Sequence, residues 1–160
     1  MSWSRRSLWS IAAIACGIFM ITACRSELLP ATVKVDPGAV EEVRAVGKFI
    51  AATSTDGYWD GETQITDVII IDAASSSAAG ALIKTSNLLK KSNWKTVGQN
   101  SDWIQMESDK WPGVEVTLES FASYGADTLM EDSRVAKAIR ETLAHAKPES
   151  LIVADIGPAE

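Results

Sequence analysis

The amino-acid sequence predicts an α+β fold in a single domain over residues 37–160. Three observations carry this. Val68-Ile69-Ile70-Ile71 is apolar on both faces, as a strand in the middle of a sheet must be. Two stretches, 78–91 and 128–146, repeat apolar residues at helical spacing behind capping residues. Between them Val114, Val116, Leu118 and Ser120 alternate with Glu115, Thr117, Glu119 and Phe121, the period of a strand with one wet face.

Asp36-Pro37-Gly38 opens the domain. The Asp caps a helix, the Pro takes its first position, and Glu41 and Glu42 sit at its positive end. Val40, Val43, Val46 and Ile50 extend the helical spacing, so a helix over 37–53 is expected, with a strand over 44–52 as the competing reading. Asp56-Gly57-Tyr58-Trp59-Asp60-Gly61 is expected as a turn-rich loop. A central strand follows over 65–72. Ser75-Ser76-Ser77 then caps a helix whose inner face is Ala79, Leu82, Ile83, Ser86 and Leu89. Residues 95–98 and 102–107 read as one interrupted strand, and Lys110-Trp111-Pro112-Gly113 as the turn into 114–121. Thr128-Leu129-Met130-Glu131 resembles a capping box, and the helix it opens carries Ala136, Ile139, Leu143 and Ala146 before Pro148 stops it. Residues 151–156 are the last strand.

The order β-α-β-β-α-β, preceded by an extra N-terminal helix, resembles the ferredoxin-like split βαβ arrangement. That resemblance implies one antiparallel sheet with both long helices on one face. The Glu115/Glu119 face then looks outward, Ile69 or Ile71 shares it, and the 37–53 helix is the element expected to cover it.

The first 23 residues read as a signal peptide. Arg5 and Arg6 are a basic start, and residues 8–23 carry no charge. That stretch is shorter than the roughly 20 apolar residues of a spanning helix and contains Ser10, Gly17 and Thr22. Ile21-Thr22-Ala23-Cys24 resembles the lipobox of bacterial lipoproteins, with an aliphatic residue, two small ones and then cysteine. Ala13-Ile14-Ala15-Cys16 is a poorer second match, because it leaves too little apolar core before it. The resemblance implies a diacylglyceryl group on the Cys24 thiol and cleavage just before it. The mature chain is then held at the cell membrane, facing outside the cytoplasm, with residues 24–36 as a tether. Stable anchoring by acyl chains needs more than one of them.

Charge fits that address. The chain carries a net charge of −6, and losing Arg5 and Arg6 with the leader takes it to about −8. An acidic body is repelled by anionic lipid, so the acyl group rather than a basic patch must hold it. Nucleic acid is excluded as a partner on the same ground. Cys24 is the one cysteine left after cleavage, which removes disulfides and thiolate metal sites.

Catalytic patterns are scarce. His145 is the single histidine and falls in the last turn of a helix, where it complements the negative helix end. There is no Gly-x-Ser-x-Gly elbow and no phosphate loop. Ser92-Asn93-Trp94-Lys95 matches Ser-x-x-Lys, but its companion motifs are missing. Asp56, Asp60 and Glu62 lack the spacing of a calcium loop. No cofactor, metal or catalytic residue is therefore assigned.

Four tryptophans remain in the mature chain. Trp94 and Trp103 fall in regular elements and read as packing residues, while Trp59 and Trp111 fall in turns. The expected binding residues are Tyr58, Trp59, Asp60 and Glu62 in the 56–62 loop, with Trp111. Aromatic faces beside carboxylates suit a protein or glycan partner. The sequence thus predicts a non-enzymatic, lipid-anchored envelope protein that binds a partner or stabilises a complex. A small-ligand or glycan binder using the 56–62 loop is one alternative, and a hydrolase with an unrecognised site is another.

Overall fold

The structure, a computed structural model, describes residues 31–124 and 133–159. Cys24 and the predicted capping box at Thr128 lie outside the described residues. Among the described residues the fold is mixed α and β, with a seven-stranded sheet and three α-helices.

Strand β1, Thr32–Lys34, leads into helix α1, Pro37–Arg44. Asp36 caps α1 by accepting the Gly38 N–H at 2.7 Å, and Pro37 supplies the fixed φ of its first turn. The helix is shorter than the expected 37–53. Lys48 opens strand β2, Lys48–Trp59, and the β-branched and aromatic residues there pair with strand β3, Glu62–Asp72. The competing strand reading takes the second half of the predicted helix.

β2 and β3 form one long hairpin, paired from Lys48↔Asp72 to Trp59↔Glu62 with a bulge between Phe49 and Ala51. Only Asp60 and Gly61 turn, at φ +47° and +84°, the two-residue geometry with both central residues left-handed. The turn-rich loop expected over 56–61 is therefore mostly strand: Asp56, Gly57, Tyr58 and Trp59 are in the ladder.

Helix α2, Ala78–Lys91, follows; Ser77 accepts the Gly80 N–H at 3.1 Å as its cap. Its buried stripe is Ala81, Leu82, Thr85, Ser86 and Leu89, rotated from the predicted one, so that Ile83 is 58% exposed. Strands β4, Trp94–Gln99, and β5, Trp103–Ser108, are antiparallel partners rather than one interrupted strand. Asn100 makes the reversal: its Oδ1 accepts the N–H groups of Asp102 and Trp103 at 2.7 and 2.9 Å. Strand β6, Val114–Ser120, helix α3, Ser133–Leu143, and strand β7, Leu151–Pro158, complete the described chain.

The sheet order is β2-β3-β7-β6-β5-β4, every neighbour antiparallel; β1 lies parallel beside the start of β3, at Thr32↔Thr63 to Lys34↔Ile65. This corrects the ferredoxin-like arrangement. Splitting 95–107 into two strands reverses the direction of everything after it, and β7 enters between β3 and β6. The 68–71 run does lie on a strand paired on both sides.

The helices are not on one face. α1 and α2 cover the face of Ile69, Ile71, Met106, Val116, Leu118, Ile152 and Ile156. α3 packs its Val135 and Ile139 on the opposite face, over Ala51, Val68, Ile70, Leu151 and Val153. It is thus Val68 and Ile70, not Ile69 and Ile71, that share a face with Glu119, and α3, not the first helix, that covers them.

Candidate functional site

α3 covers the β2-β3-β7 half of its face. The β6-β5-β4 half of that face carries polar side chains, as the wet positions of β6 require. Cross-strand register lines these up in rows. Trp103 of β5, Glu119 of β6 and Val153 of β7 form one row. Gly98, Gln105, Thr117, Asp155 and Val68 form the next, and Lys95, Glu107, Glu115 and Gly157 the third. Among the described residues, the side chains of the β6-β5-β4 half are intermediate or exposed, while those behind them on β5 and β6, with Trp94 of β4, are buried.

Gly98 shapes this surface. A side chain there would meet the Trp103 ring and Oε1 of Gln105 at 3.1 Å, so the glycine lets the indole lie across β4. Trp103 is accordingly half-buried on an open face rather than packed in the core.

Charge gathers at the border between this surface and α3. The turn after β6 is tied by Tyr124 N–H to the Ser120 carbonyl at 3.1 Å and Ser123 N–H to Ser120 Oγ at 3.2 Å. It directs the Tyr124 hydroxyl to Oδ1 of Asp155 at 3.1 Å. Burial pushes the Asp155 carboxyl up to about 6; the Glu119 charge adds to the rise and the Tyr124 hydrogen bond opposes it. Burial, with the charge of Asp155, pushes the Tyr124 phenol up as well. The Glu119 carboxyl is raised by burial and by the charge of Asp102. The surface is thus an acidic field whose most withdrawn carboxyl, Asp155, gives up its proton at about pH 6. Among the described residues no three His, Cys, Asp or Glu side chains group in a way that could hold a metal ion.

The residues singled out in the sequence do not come together. Tyr58 and Trp59 stand at the end of the β2-β3 hairpin, 70% and 66% exposed. They alternate, so they face opposite sides of the ribbon: Trp59 lies beside Glu62 and Tyr58 beside Thr63. Asp60 is in the turn itself. Trp111 belongs elsewhere. It packs on Gly38 of α1 and lines a cleft of about 350 Å³ with Val33, Asp36, Pro112, Val114 and Pro158.

Beside that cleft, Glu42 of α1 accepts from Nε1 of Trp94 at 2.8 Å and pairs with Lys110, whose Nζ lies 4.7 Å from the Trp111 ring centre. Burial raises the Glu42 carboxyl, but the hydrogen bonds from Lys110 and Trp94 outweigh it and hold the group below its ordinary value. This knot fastens α1 to the ends of β4 and β5. Trp94 is thereby spoken for as structure, while Trp111 keeps a face on the cleft.

Comparison with family models, with characterised proteins and with solved structures finds no match for the chain. Trp103, read from the sequence as a packing residue, and Asp155 were not among the expected binding residues. A signal for Asp155 was present: it is the one carboxylate inside the apolar run Leu151-Ile152-Val153-Ala154-Asp155-Ile156. For Trp103 there was none, because its exposure depends on the strand pairing.

Proposed function

We propose that the chain is an exported envelope protein, lipid-anchored through Cys24, that works without catalysis by binding a partner protein on the open half of its sheet. The observation that carries this reading is the row Trp103, Glu119 on a flat surface flanked by Asp102, Glu107 and Glu115. A half-buried tryptophan within a ring of charge is the usual make-up of a protein-binding centre. A flat face suits a protein better than a small molecule, which needs a concave site. The partner chemistry follows from the charge: Lys or Arg side chains around an apolar group that covers the indole.

A small-ligand reading keeps one specific support, the cleft beside Trp111, whose size lies in the range of small-molecule sites. A hydrolase has less in its favour. Asp155 is hydrogen-bonded to Tyr124 rather than to a nucleophile, and His145 lines a hollow with Lys48, Phe49 and Asp72 that Asp155 does not share.

Site-specific photo-crosslinking in the intact envelope tests the proposal. A crosslinking residue in place of Gln105 should capture one protein, and the adduct should disappear in Glu115→Lys/Glu119→Lys. The same residue in place of Ile83, on the other side of the domain, should not capture it. Equal capture from both positions, or an adduct indifferent to the charge reversal, would overturn the reading.

A further inference from the structure

Strand β1 and the hairpin tip meet at one end of the sheet. β1 runs parallel to β3 and begins beside its start, so Thr32 pairs with Thr63, and Thr63 pairs with Tyr58 on its other side. Thr32 therefore lies two strand spacings, about 10 Å, from Tyr58. β1 then runs away from the tip. The chain enters the domain at the tip, and residues 24–31 lead up to that point. Those residues, fully extended, reach about 28 Å. If Cys24 carries the lipid, the tip can lie no farther than that from the bilayer surface, plus the short step across the sheet.

The tip is built for an interface. Tyr58 and Trp59 are the most exposed large apolar side chains among the described residues. Neither belongs to a core cluster. Facing opposite sides of the ribbon, they cannot form one flat platform for a sugar ring, but both can enter a layer that surrounds the tip. Tyr and Trp, with an apolar body and a polar edge, are the residues that settle at the level of lipid headgroups. Asp56, Asp60 and Glu62 lie next to them, so a zwitterionic surface suits the tip and a strongly anionic one repels it.

We infer that the β2-β3 hairpin tip, through Tyr58 and Trp59, docks on the zwitterionic headgroup layer of the membrane that holds the chain, fixing the domain's orientation and turning the Trp103 surface toward a partner. This rests on the lipid anchor proposed above. The tether makes it effective, because a short linker raises the local concentration of the second contact without any new affinity.

The test uses the full lipidated chain in phosphatidylcholine vesicles containing brominated phosphatidylcholine. Flotation first reports the anchor: a chain that does not float overturns the anchor and this inference together. For a chain that floats, part of the tryptophan emission should be quenched. The quenched part should vanish in Trp59→Ala and shrink when phosphatidylglycerol replaces much of the phosphatidylcholine. Tripling the tether between Pro30 and Thr32 should lower the tip's local concentration about fivefold and reduce quenching accordingly, with the domain untouched. Flotation without quenching, or quenching that survives Trp59→Ala, overturns the docking alone. So does a Trp59→Ala chain that loses binding to isolated glycan strands while wild-type quenching is absent.

Discussion

The Tyr124 hydroxyl donates to Oδ1 of Asp155 across 3.1 Å, joining the turn after β6 to the middle of β7. Asp155 is the carboxylate most withdrawn from water on the open side of the sheet. The Tyr124 hydrogen bond lowers its proton affinity while burial and Glu119 raise it.

The pair gives the fold a measurable pH dependence. The Asp155 carboxyl stands at about 6 in the folded chain, against roughly 3.9 in an unfolded one. The folded state therefore binds the proton more tightly. The stabilisation is complete below about pH 4 and is lost as pH rises through 6. Asp155→Asn removes this slope, and should raise stability at pH 8 relative to wild type by about 1–2 kcal/mol once solvent screening is allowed for. Tyr124→Phe should move the Asp155 midpoint further up. Urea unfolding from pH 4 to 8 measures both, and an unchanged slope in Asp155→Asn would show that another group titrates.

Glu42 acts with the opposite sign. Its carboxyl is held below the ordinary value in the folded chain, so the stability it contributes is present above about pH 4.5 and is lost as pH falls through the folded value. Glu42→Ala leaves Nε1 of the fully buried Trp94 without its acceptor. That should cost about 1–3 kcal/mol. Glu42→Gln keeps an acceptor and should recover part of it, which separates the hydrogen bond from the Lys110 ion pair in equilibrium unfolding.

Much of the fold was legible because it is written in local signals. Ser77, Asp36 and the 68–71 run each act over a few neighbouring residues, and α2 occupies the predicted 78–91. What was not legible depends on pairing. The chain has Asp-Gly at both 56–57 and 60–61, and only the second turns. Either could close a hairpin, and the choice is made by which register buries Val68 and Ile70 under α3. Asn100 is equally decisive and equally local, yet nothing in its neighbourhood distinguishes a reversal from a bulge. The outward Glu115/Glu119 face was read from alternation alone. That Trp103 lies beside Glu119 required knowing that β5 is a separate strand.

The proposed lipid anchor gives a third prediction. Cys24→Ala should abolish incorporation of labelled palmitate and membrane retention, while the folded domain keeps its unfolding midpoint, since none of its core residues lies near the anchor in sequence. Continued labelling of the Cys24→Ala chain would refute the lipobox assignment.

The hairpin tip can be dissected by three substitutions whose energetic origins differ. Trp59 is 66% exposed and outside both core clusters, so Trp59→Ala should change stability by less than about 0.5 kcal/mol. A tryptophan folded back as a lid on the sheet would instead give a loss of about 3–5 kcal/mol. Gly61→Ala touches no neighbour, for nothing lies within 4 Å of the added carbon, but it forces a side chain to φ +84°. Its loss, about 1–2 kcal/mol, is backbone strain alone. Ile70→Asp places a carboxylate at a site with no exposure, paired between β2 and β7 beneath α3, and should leave no folded state to measure. The ordering is what matters. If Trp59→Ala proves as damaging as a core substitution while Gly61→Ala is silent, the tip is packed against something within the domain and is not a free surface. If the order is Ile70→Asp, then Gly61→Ala, then a silent Trp59→Ala, Trp59 contributes nothing to folding and is free to act on what lies outside the domain.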